Sequence, residues 1–336
     1  MNIRAYAASA AREPLSLIDF DPGELGSDEV EIDVAYCGLC HSDLSMWGND
    51  WMQSRYPFVP GHEVVGTLAA KGESVTHLEL GQKVGLGWYS RSCGVCDECL
   101  SGNHNLCSHV GQTIVGRHGG FAEKVRAQAL WATPLPEALD IASAGPLFCG
   151  GITVFNPILE CGVLPTDRVG VVGIGGLGHM ALQFLNKWGC DVTAFSSSPE
   201  KEEAARGFGA HHYVSSRDSE AIRKLESTLD LILVTVNVEL DWEAYLAALK
   251  PKGRLHIVGA APKVECAVST LLEKQRSISG SPLGSPATVN QMLEFCGRHG
   301  IAPKTEIMPM SEANRAFERL SSEKPAHRLV LRADFD

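Results

Sequence analysis

The rhythm of polar and apolar positions changes about halfway along the chain. Up to about residue 150 the pattern is short. Residues 31–36 (Glu-Ile-Asp-Val-Ala-Tyr) alternate polar and apolar, the period of a half-buried strand. Apolar runs at 63–68 and 83–86 are cut by glycine, and cysteines and histidines fall in the loops between them. This part is expected to be β-rich. From about residue 165 strands and helices alternate. Residues 169–172 form a short β-branched run, followed by a glycine-rich turn. Leu177, Met180, Ala181, Phe184, Leu185 and Trp188 then recur at spacings of three and four, which stripes one helix face. Gly189 stands where that helix would be capped. Residues 191–195 predict the next strand, and Pro199-Glu-Lys-Glu-Glu203 opens another helix with carboxylates in its first turn. Strands are expected at 212–214, 230–236 and 254–258, with a helix at 241–249 ended by Pro251-Lys-Gly253. Such alternation predicts a parallel, doubly wound sheet. From about 286 a further helix (Val289, Met292, Leu293, Phe295, Cys296) leads into a short final segment, expected to pack back on the first domain.

Composition narrows the class. A chain of 336 residues suggests two domains. At 44% hydrophobic and 21% charged it has an ordinary globular profile. Its net charge of −11 argues against nucleic acid or an anionic membrane as partner. The sequence holds no apolar run of about 18 residues, and residues 1–14 lack the apolar core of a signal peptide. Eleven cysteines, an odd number without a secretory signal, fit a reducing compartment, the cytoplasm, better than a disulfide scaffold.

Two motifs carry chemistry on their own. Cys93, Cys96, Cys99 and Cys107 are spaced C-x2-C-x2-C-x7-C, with Gly94, Gly102 and Asn103 between them. Four thiolates in one loop can close a tetrahedral structural zinc site. Four unrelated buried thiols or an iron–sulfur cluster are the alternatives. Gly173-Ile174-Gly175-Gly176-Leu177-Gly178 follows a β-branched strand and opens an amphipathic helix, the context of a dinucleotide-binding turn. An NAD site would carry an acid about 20 residues on. Here the second strand ends Ser196-Ser197-Ser198, with Lys201 one turn later, so hydroxyls and a cation are available to a 2′-phosphate. NADP(H) is expected over NAD(H). Glu200, Glu202 and Glu203 nearby keep NAD(H) open as the alternative.

With these stand Tyr36-Cys-Gly-Leu-Cys-His-Ser-Asp-Leu44, Val59-Pro-Gly-His-Glu63 and Leu147-Phe-Cys-Gly-Gly-Ile-Thr153. Taken together and in this order, the motifs resemble the zinc-dependent medium-chain dehydrogenase/reductase family, the alcohol dehydrogenases. The chain is most similar to the cinnamyl-alcohol-dehydrogenase-like branch with its bacterial aldehyde reductases. The resemblance spans essentially the whole chain. It implies a GroES-like β-rich catalytic domain (1–150 plus 286–336) bearing both zinc sites, and a Rossmann cofactor domain (151–285). It implies Cys40, His62 and Cys149 as ligands of a catalytic zinc with Glu63 behind the metal, giving two zincs per chain. Asp43 then orients the ligating histidine and Ser42 passes the proton, since a hydroxyl donates and accepts at once. The branch's phosphate contacts fall on Ser196, Ser197 and Lys201. Thr153 resembles the nicotinamide-contacting threonine; Val258, Gly259, Ser281 and Leu283 resemble the carboxamide-binding edges; His41 and Arg328 resemble residues that reach the phosphates. Cys37 is left as an inert neighbour.

The implied activity is hydride transfer between NADP(H) and primary alcohols or aldehydes, aromatic or medium aliphatic, in a homodimer or homotetramer. Trp47, Trp51, Trp88 and Tyr89 lie near the metal motifs in sequence and are candidates for the substrate pocket. Two departures stand out. Ser45 occupies a position where the family often has a histidine that passes the proton onward. The stretch from Cys107 to Phe121 is shorter than in the branch. The readings set against this are a non-catalytic zinc-binding module, allowed by the cysteine loop alone, and a zinc-free quinone reductase, which would lack Cys40, His62 and Cys149.

Overall fold

The computed structural model describes residues 2–322 and 328–335. The chain divides into two compact units, Met1–Ile152 with Leu283–Asp336, and Thr153–Pro282.

The unit Thr153–Pro282 is built on a parallel sheet. Among the described residues its strands run in the order His212–Ser215, Asp191–Ser196, Arg168–Val172, Leu229–Val234, Leu249–Ile257, Ser277–Gly280. Numbered along the chain this is 3-2-1-4-5-6, the doubly wound dinucleotide-binding order. The expected helix is Gly178–Trp188, and it buries Met180, Ala181, Phe184 and Leu185. Gly189 caps it in the left-handed region at φ 110, where a side chain would be strained. Phe195 and Tyr245 meet edge-on at 5.3 Å in the core on the sheet.

Three expected elements differ in the structure, each for a local reason. Pro199–Lys201 is a 3-10 turn closed by the Lys201 amide on the Ser198 carbonyl, and the α-helix starts only at Glu202–Gly207. The fifth strand begins at Leu249, so Pro251-Lys-Gly253 lies inside it rather than ending a helix. Leu249 pairs with Leu229 and Arg254 with Leu231; the intervening residues bulge out, with Lys252 at φ 65. The fourth strand stops at Val234 because the Thr235 hydroxyl bonds the carbonyls of Val172 and Gly173, at 2.9 and 3.0 Å.

The other unit carries a mostly antiparallel sheet in the order Thr305–Pro309, Arg328–Arg332, Glu29–Gly38, Glu63–Lys71, Lys83–Leu86, Thr133–Pro134, with Lys124–Gln128 also on Glu29–Gly38. The final segment enters this sheet through Arg328–Arg332, whose Leu331 pairs with Cys37. Ile32, Val64, Leu68, Val84, Phe121 and Leu331 share its core. Helix Pro286–His299, N-capped by Ser285, buries Val289, Met292, Leu293 and Cys296. Among the described residues no single helix is long and apolar enough to cross a membrane.

Candidate metal and cofactor sites

Three separate loops converge on one cluster. Cys40 ends the extended stretch before helix His41–Trp47 and caps it. His62 precedes strand Glu63–Lys71. Cys149 follows the 3-10 turn Gly145–Phe148. The donor atoms of Cys40, His62, Glu63 and Cys149 all lie within 4.8 Å of one another. Cys40 Sγ is 3.8 Å from Cys149 Sγ, and His62 Nε2 is 3.3 Å from the same sulfur. A tetrahedral zinc with its usual bond lengths would set sulfur–sulfur and sulfur–nitrogen edges of about 3.8 and 3.6 Å. The donor set fits that ion in kind and spacing. The Cys40 thiol is pulled well below its ordinary value, first by sharing a proton with Cys149 and, against burial, by the Arg328 guanidinium; Cys149 rises in the same exchange.

Asp43 organises the cluster. Fully buried, it accepts from three donors: His62 Nδ1 at 3.0 Å, the Gly61 amide at 2.9 Å and the Cys40 amide at 2.9 Å. With Nδ1–H bonded to a carboxylate, His62 presents the lone pair of Nε2 to the sulfurs. Glu63 sits behind them, paired with Arg328. Burial pushes its carboxyl up to about 7 against the pull of Arg328, and its Oε2 has no hydrogen-bond partner among the described residues. A Cβ on Gly38 would collide with this carboxylate. Arg328, read from the sequence as a phosphate contact, is thus placed inward on Glu63. Ser42 Oγ stands 3.8 Å from Cys40 Sγ. His41 is exposed at the start of its helix. Cys37 is buried and is not one of the clustered donors, and burial raises its thiol.

The cysteine loop forms the second cluster. The sulfurs of Cys93, Cys96, Cys99 and Cys107 lie within 4.8 Å of one another, Cys93 to Cys99 at 3.9 Å. Backbone amides point at them: Cys96 N donates to Cys93 Sγ, and Cys93 N and His109 N donate to Cys107 Sγ, each at 3.4 Å. Amides of Val95 and Cys96 bring the Cys93 thiol down to about 6. Four sulfurs leave no open position on a tetrahedral ion.

Beside His62 lies an apolar pocket. The Trp88 ring meets the His62 ring edge-on at 5.0 Å, and Trp51 meets Trp88 edge-on at 5.9 Å. Trp88, Tyr89, Trp131, Thr133, Phe148, Ile152, Leu283, Pro286 and Val289 line the pocket. Two of the four aromatic candidates, Trp88 and Tyr89, therefore line it, and Trp51 touches one of them. Trp47 is elsewhere, donating to the Glu13 carbonyl at 2.7 Å and packing on Phe317. Trp131 carried no sequence motif, Phe148 lay in the motif 147–153 without being singled out, and Leu283 to Val289 are far along the chain.

In the other unit, Gly173 follows the first strand at φ 92, and a Cβ there would strike Val236. A Cβ on Gly178 would strike the Gly173 carbonyl, while Gly175 faces open space. The turn leaves room for a pyrophosphate at the start of helix Gly178–Trp188. Lys201 Nζ reaches back to the Ile174 carbonyl at 3.1 Å. Ser196 is buried at the strand end and Ser197 exposed beside it; the Tyr213 hydroxyl pins the serine turn through Ser198 O at 2.7 Å. Val258 and Gly259 both donate amides to Val234 O. His256 holds Ser281, Nε2 to Oγ 2.9 Å. Thr153 is buried in helix Gly150–Glu160. Sequence reading missed Thr235, Tyr213 and His256 because each acts through a strand neighbour remote along the chain.

Residues 26–137 match the family described as "Alcohol dehydrogenase GroES-like domain", and residues 176–298 match "Zinc-binding dehydrogenase". The chain is similar to "Aldehyde reductase AdhA" of Synechocystis, with 52% identity over 98% of each chain. It is similar to "Probable cinnamyl alcohol dehydrogenase 8A" of Oryza sativa subsp. japonica, with 38% identity over 97% of this chain and 94% of the relative. Among solved structures it resembles a cinnamyl alcohol dehydrogenase of Sorghum bicolor, with TM-score 0.93, 34% identity and coverage of 100% and 99% of the two chains. It also resembles a cinnamyl alcohol dehydrogenase of Helicobacter pylori complexed with NADP(H), with TM-score 0.90, 26% identity and coverage of 99% and 98%.

Proposed function

Because the chain belongs to the zinc-binding alcohol dehydrogenases, with a GroES-like domain joined to a Rossmann domain, we propose that it is an NADP(H)-dependent aldehyde reductase acting on aromatic or medium aliphatic aldehydes. The observation that carries this reading is the Cys40–His62–Cys149 cluster at tetrahedral spacing, with Ser42 and an aromatic pocket against it. Cys40, His62 and Cys149 would hold a zinc ion, which supplies Lewis acidity toward a carbonyl when bound. Glu63, behind them, is the spare carboxylate of that site, and Cys93, Cys96, Cys99 and Cys107 hold the second, structural zinc.

The residues of the chain divide the remaining work. Asp43 keeps the proton of His62 on Nδ1, so that Nε2 stays a donor to metal. Ser42 delivers a proton to the substrate oxygen as hydride reaches the carbonyl carbon. With Ser45 three residues on, Ser42 regains its proton through cofactor hydroxyls, water or His41. Trp88, Tyr89 and Phe148 give a flat aldehyde an apolar wall and exclude water. Gly173 to Leu177 cradle the pyrophosphate, and Ser196, Ser197 and Lys201 meet the 2′-phosphate, where the strand end offers no repelling acid. Thr153, Val258, Gly259, Ser281 and Leu283 are assigned to the nicotinamide.

Eleven cysteines, six of them gathered in the two metal clusters, support a reducing, cytoplasmic setting. The parallel sheet ends on Ser277–Gly280, and Val268 and Leu272 stand 68% and 72% exposed on the preceding helix. An open strand edge beside apolar side chains supports a homodimer or larger homo-oligomer. The deciding experiment is a metal assay with steady-state turnover of benzaldehyde and cinnamaldehyde, using NADPH and NADH. Two zincs per chain and a higher kcat/KM with NADPH are expected. No turnover by the two-zinc protein, or a preference for NADH, overturns the corresponding part of the reading.

A further inference from the structure

The loop between Cys99 and Cys107 touches the wall of the pocket beside His62. Its 3-10 turn His104–Leu106 carries two of these contacts. The Asn105 side-chain amide donates to the Leu283 carbonyl at 2.8 Å, across 178 residues of sequence. The His104 ring faces Trp131 nearly perpendicular, at 6.5 Å, and its Nδ1 is tied to Ser92 Oγ at 3.1 Å. Leu283 and Trp131 both line the pocket. Asn105 itself is 9% exposed, so its amide is largely shut off from water.

The place of this contact matters. Leu283 is where the chain re-enters the unit that holds both metal clusters. Gly284 follows it against Ile152 and Thr288, and Ser285 caps the helix that brings Pro286 and Val289 to the same pocket. The segment 283–289 thus forms one side of the pocket, and it is pinned near its start by a side chain from the cysteine loop.

We propose that Asn105 is a positioning residue for aldehyde recognition: through the Leu283 carbonyl it sets the pocket wall, so the cysteine loop contributes to substrate affinity as well as to stability. The inference rests on the assignment of this pocket to the aldehyde. An amide N–H is required, because the partner is a carbonyl that can only accept. Asn105→Asp has the same shape but offers an acceptor in place of the donor. Asn105→Ala removes the group outright.

The test uses the full-length zinc-loaded enzyme, with zinc content and Tm measured for each variant. Asn105→Asp and Asn105→Ala are expected to raise the KM for benzaldehyde about fivefold to tenfold, with kcat within about twofold of wild type. Where Asn105→Ala loses its zinc, Asn105→Leu, of similar size and without a donor, takes its place. Hydrogen exchange over residues 283–289 is expected to quicken in the Asn105 variants, and this readout needs no turnover. Wild-type KM with unchanged exchange overturns the proposal. A wild-type enzyme that turns over no aldehyde refutes the proposed activity instead, and the exchange measurement still decides the role of Asn105.

Discussion

A single carboxylate shows how much depends on individual atoms. Asp43 sits one residue from Ser42 and three from Cys40, yet its two oxygens gather donors from both the Cys40 and the His62 loops. A short acid in the first turn of a helix reads as an ordinary turn or cap residue, and the chain that brings His62 to it is 19 residues away. The serine turn at the end of Asp191–Ser196 poses the opposite case, since its chemistry is visible in the letters alone. There the missing acid and the reach of Lys201 decide the expectation. Ser196→Asp is expected to lower kcat/KM for NADPH relative to NADH by at least about tenfold, because a carboxylate there repels a 2′-phosphate and suits a ribose hydroxyl. Steady-state kinetics with both cofactors measure this. An unchanged ratio would mean that the phosphate is read by other groups.

At the scale of elements, the cysteine loop is a short run held by sulfur and backbone amides. Its helix Asp97–Leu100 has four residues, and Leu100 and Val95 stand 73% and 76% exposed, so apolar burial contributes little to it. A closed metal site then carries the folding free energy of the loop. Cys96→Ala is expected to cut bound zinc from two to one per chain and to lower Tm by at least about 4 °C, read by metal analysis and thermal melting. Two retained zincs with an unchanged Tm would refute a structural ion there. Boundaries elsewhere were less legible than existence. Helix Gly178–Trp188 and strand Lys83–Leu86 follow from periodicity, whereas the strand that absorbs Pro251-Lys-Gly253 is extended by pairing with Leu229. A neighbouring strand overrides local turn chemistry because each ladder bond satisfies a buried backbone group.

For the whole molecule, stability against acid is tied to a buried histidine in the parallel sheet. His256 is 3% exposed, with Ser279 Oγ on Nδ1 at 2.9 Å, Ser281 Oγ on Nε2 at 2.9 Å, the Cys161 thiol at 3.4 Å and the charge of Arg254 nearby. Burial first, then Arg254, hold its imidazole down to about 4. An unfolded chain takes up this proton near pH 6.5, so the folded state keeps its full advantage above that pH and loses it as pH falls toward 4. The loss is on the order of 1–3 kcal/mol. His256→Asn is expected to flatten the fall in urea midpoint between pH 7 and 4.5, and a variant with the wild-type slope would contradict the assignment. None of this was visible in the sequence, where His256 is one polar position inside an apolar strand. The linear chain already contained the alternating elements of the parallel sheet, the glycine turn, the serine-rich strand end and four cysteines within fifteen residues, because each is written within one or two turns of backbone. Folding brought Cys149 to Cys40 across 109 residues, Arg328 to Glu63 across 265 and Asn105 to Leu283 across 178. Periodicity and spacing act over a few residues; contacts closed by burial and charge pairing across such loops leave no local mark, and they exist only once the core has brought the strands together.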